Sequence, residues 1–360
     1  MEDLVSADWR GRRVFITGHT GFKGSWLALW LAGLGAEVTG YALPAPTDPS
    51  LFETARVAEL IHHVEGDVRD AAALEAALAA AQPEVVFHLA AQPLVRYSYA
   101  EPIETYATNV MGTVHLLDAV RRVESVKAVV CITSDKCYEN REWVWPYREN
   151  DPMGGYDPYS SSKGAAELVI SAYRRSFFES GALIASVRAG NVIGGGDWAL
   201  DRLVPDLVRA LEAGKQPEIR SPNAVRPWQH VLEALGGYLL IAERLLAGDR
   251  SAATGWNFGP ADDDTQPVRW IVERMLDLWG ATGWIKPEGA TLHEAKTLKL
   301  DCSKARNELG WRPALSLGDA LALVVEWHRT VGNGGDAREI CQSQLRTYQT
   351  KFRAGLVEIA

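Results

Sequence analysis

Cysteine, basic charge and long apolar runs are all scarce in this chain. Its four cysteines (Cys131, Cys137, Cys302, Cys341) form no CxxC pair, and no His, Cys or carboxylate cluster has metal-ligand spacing. Neither a metal site nor a disulfide framework is therefore predicted. The net charge of −9 argues against a nucleic-acid partner, because that affinity depends on clustered Lys and Arg. With neither a signal-peptide pattern nor about 18 uninterrupted apolar residues, the sequence predicts a cytoplasmic protein without a membrane partner.

Short β-rich runs alternate with helical patterns in the first half of the chain, which is typical of βαβ units around a parallel sheet. Strands are predicted at 14–17, 37–41, 61–65, 84–90, 127–133 and 183–189. After Gly190, glycine and proline become denser and the links longer, which marks a second lobe. We predict an α/β fold: a Rossmann-type doubly wound parallel sheet over residues 1–190 and a smaller C-terminal α/β lobe over 191–360, some segments of which can return to the first sheet.

Three glycines stand where the first strand turns into a helix, in the stretch VFITGHTGFKGSW. Gly18, Gly21 and Gly24 would allow a tight turn, a close approach of the backbone to a pyrophosphate, and close contact between helix and sheet. A bound dinucleotide is the favoured interpretation, and a merely structural turn is the alternative.

The acidic residue that often follows the second strand of such a fold is missing, since residues 41–43 read Tyr-Ala-Leu. This site therefore does not decide between NAD and NADP. After the third strand, Asp67 is a candidate for contact with the adenine half of the dinucleotide. Capping the next helix is an equally good interpretation of Asp67.

A phenol and an ammonium lie four residues apart at a predicted helix start, in Tyr159-Ser-Ser-Ser-Lys163, and hence on one helix face. A neighbouring cation lowers the pKa of a phenol, so this pair could take a proton from a substrate hydroxyl as hydride leaves the same carbon. The segment 133–136, Thr-Ser-Asp-Lys, follows the fifth strand, at the sheet edge where such folds hold ligands. In isolation that tetrapeptide would be an ordinary capped turn.

The chain resembles the extended short-chain dehydrogenase/reductases, and within them the CDP-glucose 4,6-dehydratases. The resemblance rests on motifs that run through nearly the whole sequence: TGHTGFKGSWL, HLAAQPLVRYSY, TSDKCYEN, DPYSSSKGAAEL, RAGNVIGGGDW, RPWQHV and HEAKTLKLDCSKARNELGWRP. It implies conversion of CDP-glucose to CDP-4-dehydro-6-deoxyglucose, with NAD reduced and reoxidised within one turnover.

The resemblance also implies roles for the polar residues. Tyr159 would deprotonate the hydroxyl on carbon 4, Lys163 would hold the phenolate and the nicotinamide ribose, and Ser134 would hydrogen-bond the developing ketone. Asp135 would protonate the departing hydroxyl on carbon 6, and Lys136 would remove the carbon 5 proton, for which it must be transiently uncharged. The residues expected to bind the cofactor are Gly18, Thr20, Gly21, Phe22, Gly24, Asp67, Val68, Ala90, Ala91, Gln92, Asn109, Thr133, Tyr159 and Lys163. The residues expected to bind the substrate are Arg96, Asn191, Arg202, Arg220, Arg226, His230 and His293.

Several alternatives stay open at this point. Arg96 could equally form a surface salt bridge, and His293 could be structural. A nucleotide-sugar 4-epimerase would use Tyr159 and NAD without needing Asp135 and Lys136, and a noncatalytic NAD-binding protein could share the same fold. The resemblance implies a homodimer or homotetramer formed through helices near 105–122 and 160–179, although their apolar faces could also pack internally.

Overall fold

A computed structural model describes residues 9–261, 264–287 and 298–357, with side chains as far as residue 352. Within these ranges, seven parallel strands form one sheet in the order β3-β2-β1-β4-β5-β6-β9, and β7 pairs with β8 in a small second sheet. The Rossmann-type α/β prediction is confirmed. The strands are β1 (Arg13–Thr17), β2 (Glu37–Ala42), β3 (His62–Glu65), β4 (Val85–His88), β5 (Ala128–Ile132), β6 (Leu183–Ala189), β7 (Asn191–Ile193), β8 (Trp228–His230) and β9 (Gly255–Phe258).

Helices cover both faces of the large sheet, as expected when parallel strands are joined by crossovers. Among the described residues no helix is both long and apolar enough to cross a membrane. The helices are α1 (Phe22–Gly33), α2 (Leu51–Thr54), α3 (Ala71–Ala81), α4 (Val95–Ala100), α5 (Pro102–Tyr106), α6 (Gly112–Val120), α7 (Pro158–Phe177), α8 (Leu203–Glu212), α9 (Val231–Leu246), α10 (Val268–Trp279), α11 (Ser303–Glu308), α12 (Leu317–Gly332) and α13 (Ala337–Val357), with a π-helical turn at Ala107–Met111 between α5 and α6.

The two faces of the sheet have separate cores. On one face, α1, α9 and α13 pack together, and Trp30 of α1 meets Tyr348 of α13 edge to face with ring centroids 5.6 Å apart. On the other, Leu74, Leu116 and Ile170 come from α3, α6 and α7. Because α1 lies between the sheet and α13, eight consecutive residues from its Gly24 onward are buried, which explains its lack of a polar stripe.

A third core lies in the second lobe, between α8, α10 and α12. However, β9 pairs in parallel with β6, so part of the chain after residue 190 returns to the first sheet. The boundary at 190 stays a prediction. Within this part of the chain the apolar run at 298–301 could suggest a further strand, but the structure gives it only a single bridge, between Leu300 and Tyr147.

Candidate active site

Two of the three loop glycines are required by packing. Gly18 has a positive φ of 78°, and a Cβ there would lie 2.6 Å from the amide nitrogen of Ala90. A Cβ on Gly24 would lie 2.2 Å from the carbonyl oxygen of Gly18. Each glycine therefore permits an approach of backbone to backbone that a larger residue would block.

Gly21 is different, because nothing in the protein requires a glycine there. Its φ of −79° suits any residue, and an added Cβ would meet only the Gly18 carbonyl oxygen, at 3.5 Å. Gly21 is the N-cap residue of α1, directly before the helix, and no side chain caps that end of the helix. The open space and the uncapped amides fit the pyrophosphate of a dinucleotide, which gains from both the donors and the positive helix end.

The expected adenine side of this loop has its own hydrogen bonds. Thr20 donates to the carbonyl oxygen of Leu43 at 2.9 Å. The Asp67 carboxylate accepts from the backbone and the guanidinium of Arg69, each at 2.8 Å. Although partial burial opposes ionisation, these bonds hold the pKa of Asp67 below its usual value. Asp70, not Asp67, caps α3, so the helix-cap interpretation of Asp67 is wrong and its contact with a dinucleotide stays a prediction.

Two further residues expected to bind the cofactor, Val68 and Phe22, pack against glycines elsewhere in the fold. Val68 is buried and would clash with a side chain at Gly112, while its carbonyl accepts from His115 at 2.9 Å. Phe22 packs its ring against Gly194, next to β7.

The segment after β4, Ala90 to Gln92, is half-buried and is fixed by Asn109. The Asn109 side chain accepts from the Gln92 amide at 2.8 Å, and donates to the Gln92 carbonyl at 3.1 Å and to Ser162 at 2.9 Å. Since Asn109 lies in the π-helical turn and Ser162 on α7, one amide group ties three segments together. We interpret Asn109 as a residue that orders this loop.

The aspartate and the lysine after β5 lie on a short 3₁₀ helix, Asp135–Cys137, and the serine directly precedes it. Ser134 caps this helix, and its hydroxyl donates to the Asp135 carboxylate at 3.0 Å. Burial raises the pKa of Asp135, while Lys136, Arg226 and Lys23 act against that rise. Burial therefore favours the proton-carrying form that an acid catalyst needs.

Tyr159 and Lys163 lie on the first turns of α7 and are both buried. Ser134 is a hydrogen-bonding neighbour of the Tyr159 phenol, and the Lys163 ammonium lies 3.4 Å from the carbonyl oxygen of Ile132. Burial raises the pKa of Tyr159 to about 12 and lowers the pKa of Lys163 to about 8. We expected a neighbouring cation to lower the pKa of the Tyr159 phenol. That expectation is wrong in this structure, because desolvation raises the pKa by more than the neighbouring cations lower it.

A buried ion pair lies directly behind these residues. Glu167, one turn after Lys163 on α7, accepts from Arg188 of β6 through two bonds of 2.8 Å. It also accepts from Ser186 at 2.7 Å and from Thr133 at 2.5 Å. The hydroxyl of Thr133 is therefore used within the protein. Sequence reasoning missed this network, although the helical spacing from Lys163 to Glu167 was a usable signal.

Two of the arginines expected to bind substrate are electrostatic neighbours of the predicted catalytic residues. Arg202 pairs with buried Asp197 at 3.0 Å and is an electrostatic neighbour of the Tyr159 phenol. Arg226 is an electrostatic neighbour of Asp135.

The other two arginines share one partner. The Asp201 carboxylate lies 3.0 Å from Arg96 on α4 and 3.8 Å from Arg220 in the second lobe. All three side chains are partly exposed. Exposed salt bridges contribute little stability, so an anionic ligand could displace Asp201 from these arginines at a small energetic cost.

The remaining predicted substrate contacts have different positions. Asn191 is half-buried at the start of β7. His230 is fully buried, caps α9 through its Nδ1, and packs edge to face on Trp26, which favours a structural role over the predicted substrate contact. His293 lies outside the described residues.

Lys23, on the first turn of α1, was missed by sequence reasoning, although it lies within the glycine-loop stretch GFKGS. Asp135 and Lys163 are among its charged neighbours.

Known proteins share both the sequence and the fold. The chain is 56% identical over 349 residues to a CDP-glucose 4,6-dehydratase of Salmonella typhimurium, covering 95% of this chain and 97% of that one. It is 30% identical to a dTDP-glucose 4,6-dehydratase of Streptomyces antibioticus, covering 74% and 76%. A dTDP-glucose 4,6-dehydratase of Streptomyces venezuelae, solved with NAD, superimposes with a TM-score of 0.76 at 27% identity and covers 90% and 99%. Since residues 15–323 match the family model for GDP-mannose 4,6 dehydratase, the chain belongs to this family of nucleotide-sugar dehydratases, within the extended short-chain dehydrogenase/reductases.

Proposed function

We propose that this protein is an NAD-dependent CDP-glucose 4,6-dehydratase. The observation that carries the proposal is the placement of Asp135 and Lys136 beside Tyr159 and Ser134, at the carboxyl edge of the sheet and next to the glycine loop. A 4-epimerase needs the phenol but not this acid and base. The preference for cytosine rests on the similarity to the Salmonella typhimurium enzyme, which extends over nearly the full length of both chains.

The first chemical task is to remove a proton from the hydroxyl on carbon 4. Tyr159 is placed for this, with Ser134 able to hydrogen-bond the oxygen as it becomes a ketone. Lys163, on the same helix face, stabilises the phenolate. The glycine loop would hold NAD, whose nicotinamide would supply a reversible hydride acceptor for this chemistry.

The second task is loss of water across carbons 5 and 6. Burial raises the pKa of Asp135, which supports its role as the acid that protonates the departing hydroxyl. The Lys136 ammonium lies 5.9 Å from the centre of the Tyr159 ring, so both groups can face the same sugar. Lys136 would take the carbon 5 proton, which the neighbouring ketone makes acidic.

Substrate binding needs cations for the diphosphate. Arg226 and Arg202 lie beside the catalytic groups, and Arg96 and Arg220 meet at Asp201. A guanidinium binds two phosphate oxygens at once, which suits such a ligand. Asn191 would contact the sugar or a phosphate from the same side of the pocket.

The test is to incubate purified protein with CDP-glucose, with and without added NAD. We expect the alkaline absorbance of a 4-keto-6-deoxy sugar, a mass lower by one water, and no net NADH. The control is a Tyr159→Phe variant, which should give no product. Formation of CDP-galactose with no mass loss would instead indicate an epimerase. Turnover of dTDP-, GDP- or UDP-glucose in place of CDP-glucose would overturn the substrate assignment while leaving the dehydratase chemistry.

The proposed enzyme is a homo-oligomer that pairs through the helical segments at 105–122 and 160–179. Exposed apolar side chains on these segments support this: Met111 is 46% exposed and Leu168 is 63% exposed. Exposed apolar side chains that form a contiguous patch usually mark a contact surface. Light scattering on the wild-type protein and on Leu168→Glu tests the idea, since the variant should shift toward monomer. A monomeric wild type would refute it, and a dimeric mass would exclude the tetramer. Location in the cytoplasm stays a prediction.

A further inference from the structure

One carboxylate joins two arginines that come from distant parts of the chain. Arg96 lies on α4, after β4 of the large sheet, and Arg220 directly follows Ile219, a buried residue of the third core. The Asp201 carboxylate lies 3.0 Å from the Arg96 guanidinium and 3.8 Å from that of Arg220. Asp201 therefore connects the first sheet's surroundings to the second lobe.

The backbone of Asp201 has an unusual conformation. Its φ is 60°, in the left-handed region that residues other than glycine adopt only rarely. Asp201 belongs to the turn between β7 and α8, and directly precedes Arg202, the N-cap residue of α8. Exposed ion pairs add little stability, so stability alone does not explain this arrangement. Backbone strain of this kind is often found at binding sites.

Both sides of the ion pair adjoin residues next to the predicted base, Tyr159. Arg202, the neighbour of Asp201, is an electrostatic neighbour of the Tyr159 phenol. Ser98, on the same helix as Arg96, accepts a hydrogen bond from the Tyr159 amide at 3.1 Å. The Arg96 and Asp201 side chains are 41% and 46% exposed. The pair therefore lies at the solvent-exposed rim of the predicted active site, where an incoming ligand can reach it.

We infer that Asp201 occupies, in the free protein, the position that the substrate's diphosphate takes on binding. The inference rests on the proposed function, because it needs a ligand with a diphosphate. A carboxylate and a phosphate both offer a guanidinium two oxygens, but the diphosphate carries more negative charge. The ligand would displace Asp201 from Arg96 and Arg220. Asp201 thus acts through these arginines, as a positioning residue.

The competition would assist release of the product. The reaction changes the sugar and leaves the diphosphate as it was, so the arginines would hold product and substrate equally well. When Asp201 returns to Arg96 and Arg220, it offsets part of the attraction that would otherwise retain the product. The charge of Asp201 should therefore weaken the binding of any ligand that carries this diphosphate.

Binding of CDP, followed by calorimetry, tests the inference. Asp201→Asn removes the charge, and Asn accepts a positive φ as Asp does, so the variant should fold. From the few-fold effect of each exposed ion pair, we expect CDP to bind about three- to tenfold more tightly. Asp201→Gly, which also suits the positive φ, should act in the same direction. Asp277→Asn, which removes an exposed carboxylate on α10, should leave the affinity unchanged.

A double-mutant cycle distinguishes displacement from a general effect of charge. In the wild type, Arg96 must leave Asp201 before it can bind CDP, whereas in Asp201→Asn it leaves no carboxylate there. Arg96→Met should therefore weaken CDP binding more in the Asp201→Asn background than in the wild-type background. An equal loss in both backgrounds would show that Asp201 and the diphosphate do not share Arg96, which would overturn the inference.

Other outcomes separate this inference from the proposed function. If Asp201→Asn weakens CDP binding, the carboxylate orients the arginines for the ligand, and the inference is wrong. An unchanged affinity would also contradict it. Wild-type protein that binds CDP, UDP and dTDP equally poorly would overturn the proposed function as well. If UDP or dTDP binds in place of CDP, only the base assignment is wrong, and the same variants test the inference with that nucleotide.

Discussion

Neutralising Glu167 should destabilise the protein strongly, although Glu167 is not itself a proposed catalytic residue. The Glu167 and Arg188 side chains are only 4% and 5% exposed. The carboxylate accepts four hydrogen bonds of 2.5–2.8 Å, from Thr133, Ser186 and twice from Arg188. Glu167→Gln keeps the shape of the side chain but removes its charge. Arg188 would then keep only neutral acceptors among the described residues, the Tyr138 hydroxyl and the Glu149 carbonyl.

The size of the effect follows from this uncompensated charge. Removing one partner of a buried ion pair costs about 3–5 kcal/mol, a large part of the roughly 5–15 kcal/mol that holds a typical domain folded. We expect about 3 kcal/mol for Glu167→Gln, since the amide keeps some of the hydrogen bonds. The rate should fall too, because Thr133 directly precedes Ser134, and Glu167 lies one turn after Lys163.

Urea unfolding followed by fluorescence measures the free energy of unfolding. The control is the double variant Glu167→Leu with Arg188→Met, which removes both charges and should recover part of the loss. Although burial opposes ionisation, Arg188 keeps the pKa of Glu167 below its ordinary value. The stability from this carboxylate is therefore present above the ordinary carboxyl pKa and lost as pH falls through the folded-state pKa. A loss below about 1 kcal/mol, the size of an exposed pair, would refute the reasoning.

Three more predictions concern the cofactor loop, the elimination step and a buried carboxyl. Gly21→Ala should weaken NAD binding by about tenfold while leaving the melting temperature unchanged, because its Cβ would meet only the Gly18 carbonyl oxygen, at an ordinary contact distance of 3.5 Å; Gly18→Ala, with a clash and a positive φ, should instead lower the melting temperature. Lys136→Met should stop release of water yet allow oxidation at carbon 4, so that NADH absorbance accumulates with CDP-glucose; no NADH and no product would contradict the assigned role. Burial raises the pKa of Glu233 to about 8, so its stabilisation is complete below pH about 4.5, the ordinary value, and is lost as pH rises through about 8. Glu233→Gln should flatten this part of the thermal stability profile, and an unchanged slope would contradict the assignment.

Local pattern predicted much of the fold. The six strands of the first half were found because each is a short apolar run bounded by turn residues, and every one of them pairs in the large sheet. The segment at Gly255–Phe258 was missed because it lies in the glycine- and proline-rich half of the chain, directly before Gly259 and Pro260, and nothing in its residues shows that their partner is β6. Pairing between strands distant in sequence depends on how the intervening helices pack, which periodicity does not report.

The site shows the same division. Tyr159, Lys163 and Ser134 could be predicted from short stretches of sequence. The spacing of four residues places Tyr159 and Lys163 on one helix face, and Ser134 directly follows a predicted strand. The closeness of His230 to Arg226 in sequence did not indicate that the His230 ring packs in the core against Trp26. Glu167 and Arg188 are 21 residues apart, and their pairing requires α7 to lie across β6.

Burial, which could not be predicted from the sequence, is the common cause of the shifted pKa values in this site. It raises the pKa of Asp135 and that of Tyr159, and it lowers the pKa values of Lys163 and Lys23, each to about 8. Each group is thereby moved toward its uncharged form. For Asp135 this favours the protonated form that an acid catalyst needs, whereas for Tyr159 it disfavours the phenolate that a base needs. Burial alone therefore prepares the acid of this site, and the base depends on the cations near the phenol, of which Arg202 acts to lower the pKa of Tyr159.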